Sequence, residues 1–236
     1  MSTLWGFGDS YLALPGNSKT RSQEHWIHFL KTHLNCDGIE LRCHPGAANE
    51  WIYLQFLSVL PKIKPNDYIV FVSSQMNRRW FFEHDIGSSN YYVKDLSMNA
   101  ISSQEKNALK QYAKYLANPV MASIFFENTC NSIHYQAIMN NLNLILLPGF
   151  ESGEDGFPIN GRYKVKGSLF NIGVNEIKGK TIELWHKYIN ITHAGQDPRV
   201  GHLSYENHVI LSKKLSNTFL NNKSLDLTTE FKEDFL

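Results

Sequence analysis

Two segments near opposite ends of the 236-residue chain hold residue types that perform nucleophilic and acid–base chemistry. In the first, LWGFGDSYLAL, Gly8, Asp9 and Ser10 directly follow a short apolar run. Ligands of open α/β sheets bind at the carboxyl ends of strands, so a serine placed there is a candidate nucleophile. Glycine at position 8 lets the backbone turn closely around the hydroxyl. The plainer alternative is a strand-to-helix turn in which Asp9 or Ser10 only caps a helix. In the second segment, QDPRVGHLSYENHVILSKKL, His202 stands two residues before Ser204, a credible N-cap for a helix beginning at Tyr205. The positive end of a helix disfavours imidazolium, which keeps a histidine neutral and able to accept a proton. Asp197 lies five residues upstream of His202, within reach of the other ring nitrogen, where a carboxylate would fix tautomer and orientation.

Other site types fail on the same residues. A dinucleotide fingerprint needs a third glycine where Tyr11 stands, and neither a Gly-Lys-Ser/Thr phosphate loop nor a G-x-S-x-G elbow occurs. His208 competes with His202 but falls inside the helix. His193, His202 and His208 lack metal-binding spacing, so no metal or other cofactor is expected. Cys36, Cys43 and Cys130 form an odd set without C-x-x-C spacing and read as buried free thiols. Lysine plus arginine number 23 against 22 acidic residues, which leaves no bulk field to hold nucleic acid or an anionic membrane. No apolar stretch reaches the roughly 18 residues of a spanning helix. The first residues lack a secretory signal's basic start and apolar core, so a cytoplasmic location is expected.

The elements that must position these groups follow from hydrophobic periodicity. Apolar runs at Thr3–Phe7, Gly38–Cys43, Tyr68–Ser73 and Asn143–Leu147 read as strands. They alternate with helical patterns at Ser22–Leu34 and Ala48–Leu60, the latter closed by Pro61, as in an α/β layered domain. Ser103–Leu116 and Met121–Met139 read as a paired helical insertion. Glu151–Gly167, rich in glycine and charge, reads as a surface loop of the kind that shapes a site. A final helix is expected over Tyr205–Leu220. Residues 1–222 are therefore expected to form one domain and 223–236 a loosely held tail.

An amino-terminal GDSY after the first strand, with an Asp and a His just before the last helix, resembles the SGNH/GDSL family of serine esterases. The resemblance has blocks spread across nearly the whole chain. It implies a three-layer α/β/α, flavodoxin-like fold with a mainly parallel sheet. It also implies Ser10 as nucleophile and His202 as general base. Gly46, in PGAANEWIYLQFL after the second strand, matches the family's oxyanion-hole glycine, with Asn49 nearby. The third block, usually G-x-N-D, is here FVSSQMNRRWFF, where either Gln75 or Asn77 is left to supply the side-chain amide. The usual D-x-x-H spacing is stretched, with Arg199 at the acid's ordinary place. Either the loop holds an insertion and Asp197 completes a triad, or the chemistry runs as a Ser–His dyad.

The implied function is hydrolysis of a small acyl ester through an acyl-enzyme, with Asp9, Tyr11, Asn49 and Arg78 as expected substrate-side residues. Arg78, Arg79, Trp80 and Phe81 follow a strand end, and arginine with aromatic faces suits sugars or acidic glycans. An O-acetyl group on a carbohydrate is accordingly one candidate substrate. The bland alternative is that Trp80, Phe81 and Phe82 open a buried element. Two other functions use the same residues: an acyltransferase, in which an alcohol replaces water, and a non-catalytic binding domain that keeps the fold.

Overall fold

The computed structural model describes residues 2–13, 25–76, 78–80, 90–92, 103–115, 118–150, 163–176 and 202–233. In chain order the elements are β1 (Thr3–Gly8), α1 (Trp26–His33), β2 (Gly38–Cys43), α2 (Asn49–Val59), β3 (Tyr68–Ser73), β4 (Arg78–Trp80) and β5 (Asn90–Tyr92). There follow α3 (Ser103–Tyr115), α4 (Pro119–Met139), β6 (Asn143–Pro148), β7 (Val165–Lys166), α5 (Leu169–Glu176), α6 (Tyr205–Asn221) and β8 (Leu225–Asp226).

Four strands pair in the order β2-β1-β3-β6, every neighbour parallel. All four therefore end along one edge, at Gly8, Cys43, Ser73 and Pro148. The central strands are near-continuous apolar runs because a parallel sheet is covered on both faces. Leu4, Val70, Val72, Ile145 and Leu147 meet α1, α5 and α6 through Trp26, Leu30, Ile172, Leu211 and Leu215. The alternate residues Trp5, Phe7, Ile69, Phe71, Leu144 and Leu146 meet α2 and α4 through Ile52, Phe56, Ile133 and Ala137. The result is the three-layer α/β/α, flavodoxin-like arrangement. At the edge, β2 exposes Glu40 and Arg42, charges that discourage pairing with another sheet.

Caps explain several helix starts. The His25 side chain accepts the Ile27 N–H, and Asn118 accepts those of Val120 and Met121 ahead of a proline at the first position of α4. Helix α2 ends one residue before Leu60, and Leu60–Lys62, with Pro61 inside it, continues as a 3-10 turn.

Helices α3 and α4 fall between β3 and β6 as expected, and α4 packs onto the sheet, where Cys130, Ile133 and Ala137 form part of the second core. Past β3 the chain makes an antiparallel pair, β4 with β5, in a stretch whose aromatics obscured any strand period; Phe81 and Phe82 lie outside the described residues. Residues 223–233 are not a loose tail. Strand β8 pairs parallel to β7, and Leu225 and Leu227 are buried in the first core. Cys36 and Cys130 are buried free thiols and Cys43 is half-buried. Among the described residues no helix is long and apolar enough to cross a membrane.

Candidate active site

The turn after β1 is built by Asp9. Its carbonyl accepts the N–H groups of Leu12 (3.1 Å) and Ala13 (2.9 Å), and its carboxylate Oδ1 accepts that of Tyr11 (3.1 Å). Asp9 thus performs the capping, and Ser10 is left half-buried immediately after it. Gly8 admits this fold-back because an added Cβ would stand 2.9 Å from Val72 Cβ and 3.2 Å from Leu12 Cβ.

Asp9 itself is fully buried. Its Oδ2 accepts the Ser74 hydroxyl at 3.1 Å and Arg78 Nη1 at 3.0 Å, and Nη1 also donates to Ser74 Oγ at 2.8 Å. Burial pushes the Asp9 carboxyl above its ordinary range, against the opposing pull of Arg78 and of the hydrogen bonds from Tyr11 and Ser74. The guanidinium lies over the Phe150 ring, 5.1 Å from its centroid. This network ties the turn after β1 to the end of β3 and the residue after Gly149.

Asn49, at the start of α2, makes a second tie. Its Nδ2 donates to the carbonyls of Ser74 (3.0 Å) and Gln75 (3.4 Å), and its Oδ1 accepts the Ser74 N–H (2.8 Å). Gln75 is thereby held half-buried beyond β3, with its carbonyl also accepting the Arg78 N–H at 3.1 Å. In the β2–α2 loop, the His44 N–H donates to the Gly8 carbonyl at 3.2 Å, which pins the loop beside the Asp9–Ser10 turn. Gly46 has φ +80°, a conformation that favours glycine, and the space where its Cβ would stand is open for 4 Å.

His202 arrives from the other end of the chain. Buried, its ring stacks on that of Tyr11, with centroids 4.6 Å apart and planes 28° from parallel. The other neighbour of Tyr11 is Phe150, edge-on at 5.4 Å, and the Tyr11 carbonyl accepts Trp26 Nε1 at 3.0 Å. Ser204 caps α6 as its position suggested, accepting the Asn207 N–H at 3.2 Å. His208 belongs to a different contact: its Nδ1 accepts the Trp26 N–H at 3.4 Å and its ring lies 4.7 Å from that of His25.

The sequence-derived residues therefore separate into groups. Ser10, Gly46, Gln75 and His202 lie on loops around the carboxyl edge of the sheet. Asp197 and Asn77 lie outside the described residues. Of the expected substrate-side residues, Asp9, Tyr11 and Asn49 are buried and engaged with the protein, and the Arg78 charge is turned onto Asp9. A side chain's type gives no sign of which way it points.

Sequence reasoning missed Ser74, Phe150 and Glu176. Glu176, at the end of α5, is 1% exposed, and its carboxylate accepts the Ser204 N–H (2.8 and 3.1 Å to its two oxygens) and Asn207 Nδ2. Burial pushes this carboxyl up to about 7 against those hydrogen bonds, and Glu206 nearby pushes the same way. Nothing in the local sequence marks it. Among the described residues, no group of three or more His, Cys, Asp or Glu could hold a metal ion. No family model matches the chain, and no curated protein shows significant similarity to it.

Proposed function

We propose that the chain is a serine esterase of the SGNH/GDSL kind that cleaves a small acyl ester. One observation carries this reading: the His202 imidazole lies against the ring of Tyr11, the residue after Ser10, at the carboxyl edge of a parallel sheet. Ser10 Oγ attacks the ester carbonyl while His202 takes its proton, and the tetrahedral adduct collapses as the C–O bond to the alcohol breaks. His202 returns the proton to the leaving oxygen. Water, activated by the same imidazole, then cleaves the acyl-enzyme to carboxylic acid and free serine.

The oxyanion is held by the backbone amides of Ser10 and Gly46 and by the side-chain amide of Gln75 or Asn77, each donor worth about 3 kcal/mol. Asp197 orients the imidazole if it completes a triad; otherwise the pair works as a dyad. The substrate class is a small ester such as an O-acetyl group on a carbohydrate, and no nucleic acid or membrane partner is required.

The test is intact-mass detection of adducts with a fluorophosphonate probe, on wild type and Ser10→Ala in parallel. Wild type gains one adduct and Ser10→Ala none, and ester turnover falls on the order of 10⁶-fold in the variant with its melting temperature nearly unchanged. A folded wild type that stays unlabelled overturns the reading and favours a non-catalytic binding domain. If labelling holds, product analysis with a competing alcohol separates hydrolysis from acyl transfer.

A further inference from the structure

We infer that Glu176 is a positioning residue for His202, holding from behind the loop that carries the imidazole. The role in turnover rests on the esterase reading; the positioning itself does not. Ser204 is the N-cap of α6, so its N–H points away from that helix and needs an acceptor elsewhere. Both Glu176 oxygens provide it, at 2.8 and 3.1 Å. Only Leu203 separates Ser204 from His202, and Leu203 is itself packed in the core. With the Ser204 amide and the Leu203 side chain both fixed, the backbone of His202 has little freedom, and its ring is held at the stacking distance from Tyr11.

A second set of bonds shows that the arrangement is built around this carboxylate. Asn207, fully buried in the first turn of α6, donates through Nδ2 to Glu176 Oε1 and to the Lys232 carbonyl (2.9 Å), and its Oδ1 accepts the Lys232 N–H (2.8 Å). Helix α5, the His202 loop, α6 and the chain after β8 thus converge on one acid. Glutamine is a poor substitute, because its NH2 group would face the Ser204 N–H donor to donor. A buried carboxylate met by neutral donors is costly to keep, and here both of its oxygens meet the one Ser204 N–H.

Glu176→Gln and Glu176→Ala test this against Leu227→Ala, which removes a buried core side chain and leaves every bond to Glu176 in place. In two-dimensional imidazole spectra, both Glu176 variants shift and broaden the His202 signals, alanine more than glutamine, and leave those of His134, buried on α4, in place. Unchanged His202 signals in both variants overturn the inference, whatever the enzyme does. On the wild type that labels at Ser10, Glu176→Ala slows fluorophosphonate acylation per titrated site by about 10- to 100-fold, because small misplacement of a catalytic group costs that much. Glutamine gives a smaller loss, KM for an ester changes less than kcat, and Leu227→Ala leaves the per-site rate unaltered. An equal fall in Leu227→Ala, or none in Glu176→Ala, reduces Glu176 to a stabilising contact. A wild type that never labels removes the esterase reading alone, and the imidazole spectra still decide the positioning.

Discussion

Replacing Arg78 by leucine isolates the charge that balances Asp9. The substitution removes the 3.0 Å bond to Asp9 Oδ2 and the 2.8 Å bond to Ser74, and leaves the carboxylate two donors, the Tyr11 N–H and the Ser74 hydroxyl. Deleting one partner of a buried ion pair costs about 3–5 kcal/mol. The Arg78 side chain is 17% exposed, so water reaches part of the vacated space and the lower figure, about 3 kcal/mol, applies. Leucine keeps contact with Phe150 and forfeits about 0.5–1 kcal/mol of cation–π attraction. The loss depends on pH. Burial already raises the folded-state Asp9 carboxyl above its unfolded value of 3.8, so the native state holds this proton longer and stability declines as pH rises above that value. Removing Arg78 raises it further, so the decline steepens and extends to higher pH. Urea unfolding at pH 5 and pH 8 should therefore show a smaller loss at pH 5 than at pH 8, where it reaches ~3 kcal/mol. Adding Asp9→Asn should recover most of the pH 8 loss, because the amide oxygen still accepts the Tyr11 N–H and the NH2 group can donate to Ser74. Equal losses at both pH values, or no recovery in the double variant, would refute the reasoning.

Glu176 gives a second pH signature. Its carboxyl is raised from 4.5 to about 7, so wild-type stability should fall by about 3 kcal/mol between pH 4.5 and pH 8 relative to Glu176→Gln, measured by denaturant midpoints in both proteins. Gly149→Ala should destabilise by about 3 kcal/mol and slow Ser10 labelling, because the new Cβ would stand 2.3 Å from the Ser73 carbonyl that accepts the Gly149 N–H. A midpoint unchanged by that substitution would mean the strand ends part freely. Leu227→Ala should cost about 2–4 kcal/mol, and truncation after residue 222 more, in thermal melts; a truncated chain with wild-type stability would restore the loose-tail reading.

Within the described residues, the sequence by itself determined the four strands of the main sheet and the helices α1, α2, α3, α4 and α6. Strands β1, β2, β3 and β6 were legible to within a residue because parallel strands covered on both faces must be apolar throughout, and a run such as YIVFVS can be little else. The Ser204 cap and the place of Ser10 just after β1 were legible too, since both follow from local backbone chemistry. Tertiary structure decided what each polar group does. Asp9 and Arg78 carry no mark in the sequence of their pairing, nor Glu176 of its hold on Ser204, because each contact joins segments that only the packed layers bring together. The burial of Leu225 and Leu227 was hidden for the same reason: a two-residue strand has no period to read, and it exists because β7 offers it an edge. Local patterning is written in neighbouring residues, whereas the direction of a side chain and the partner it meets are settled by long-range packing.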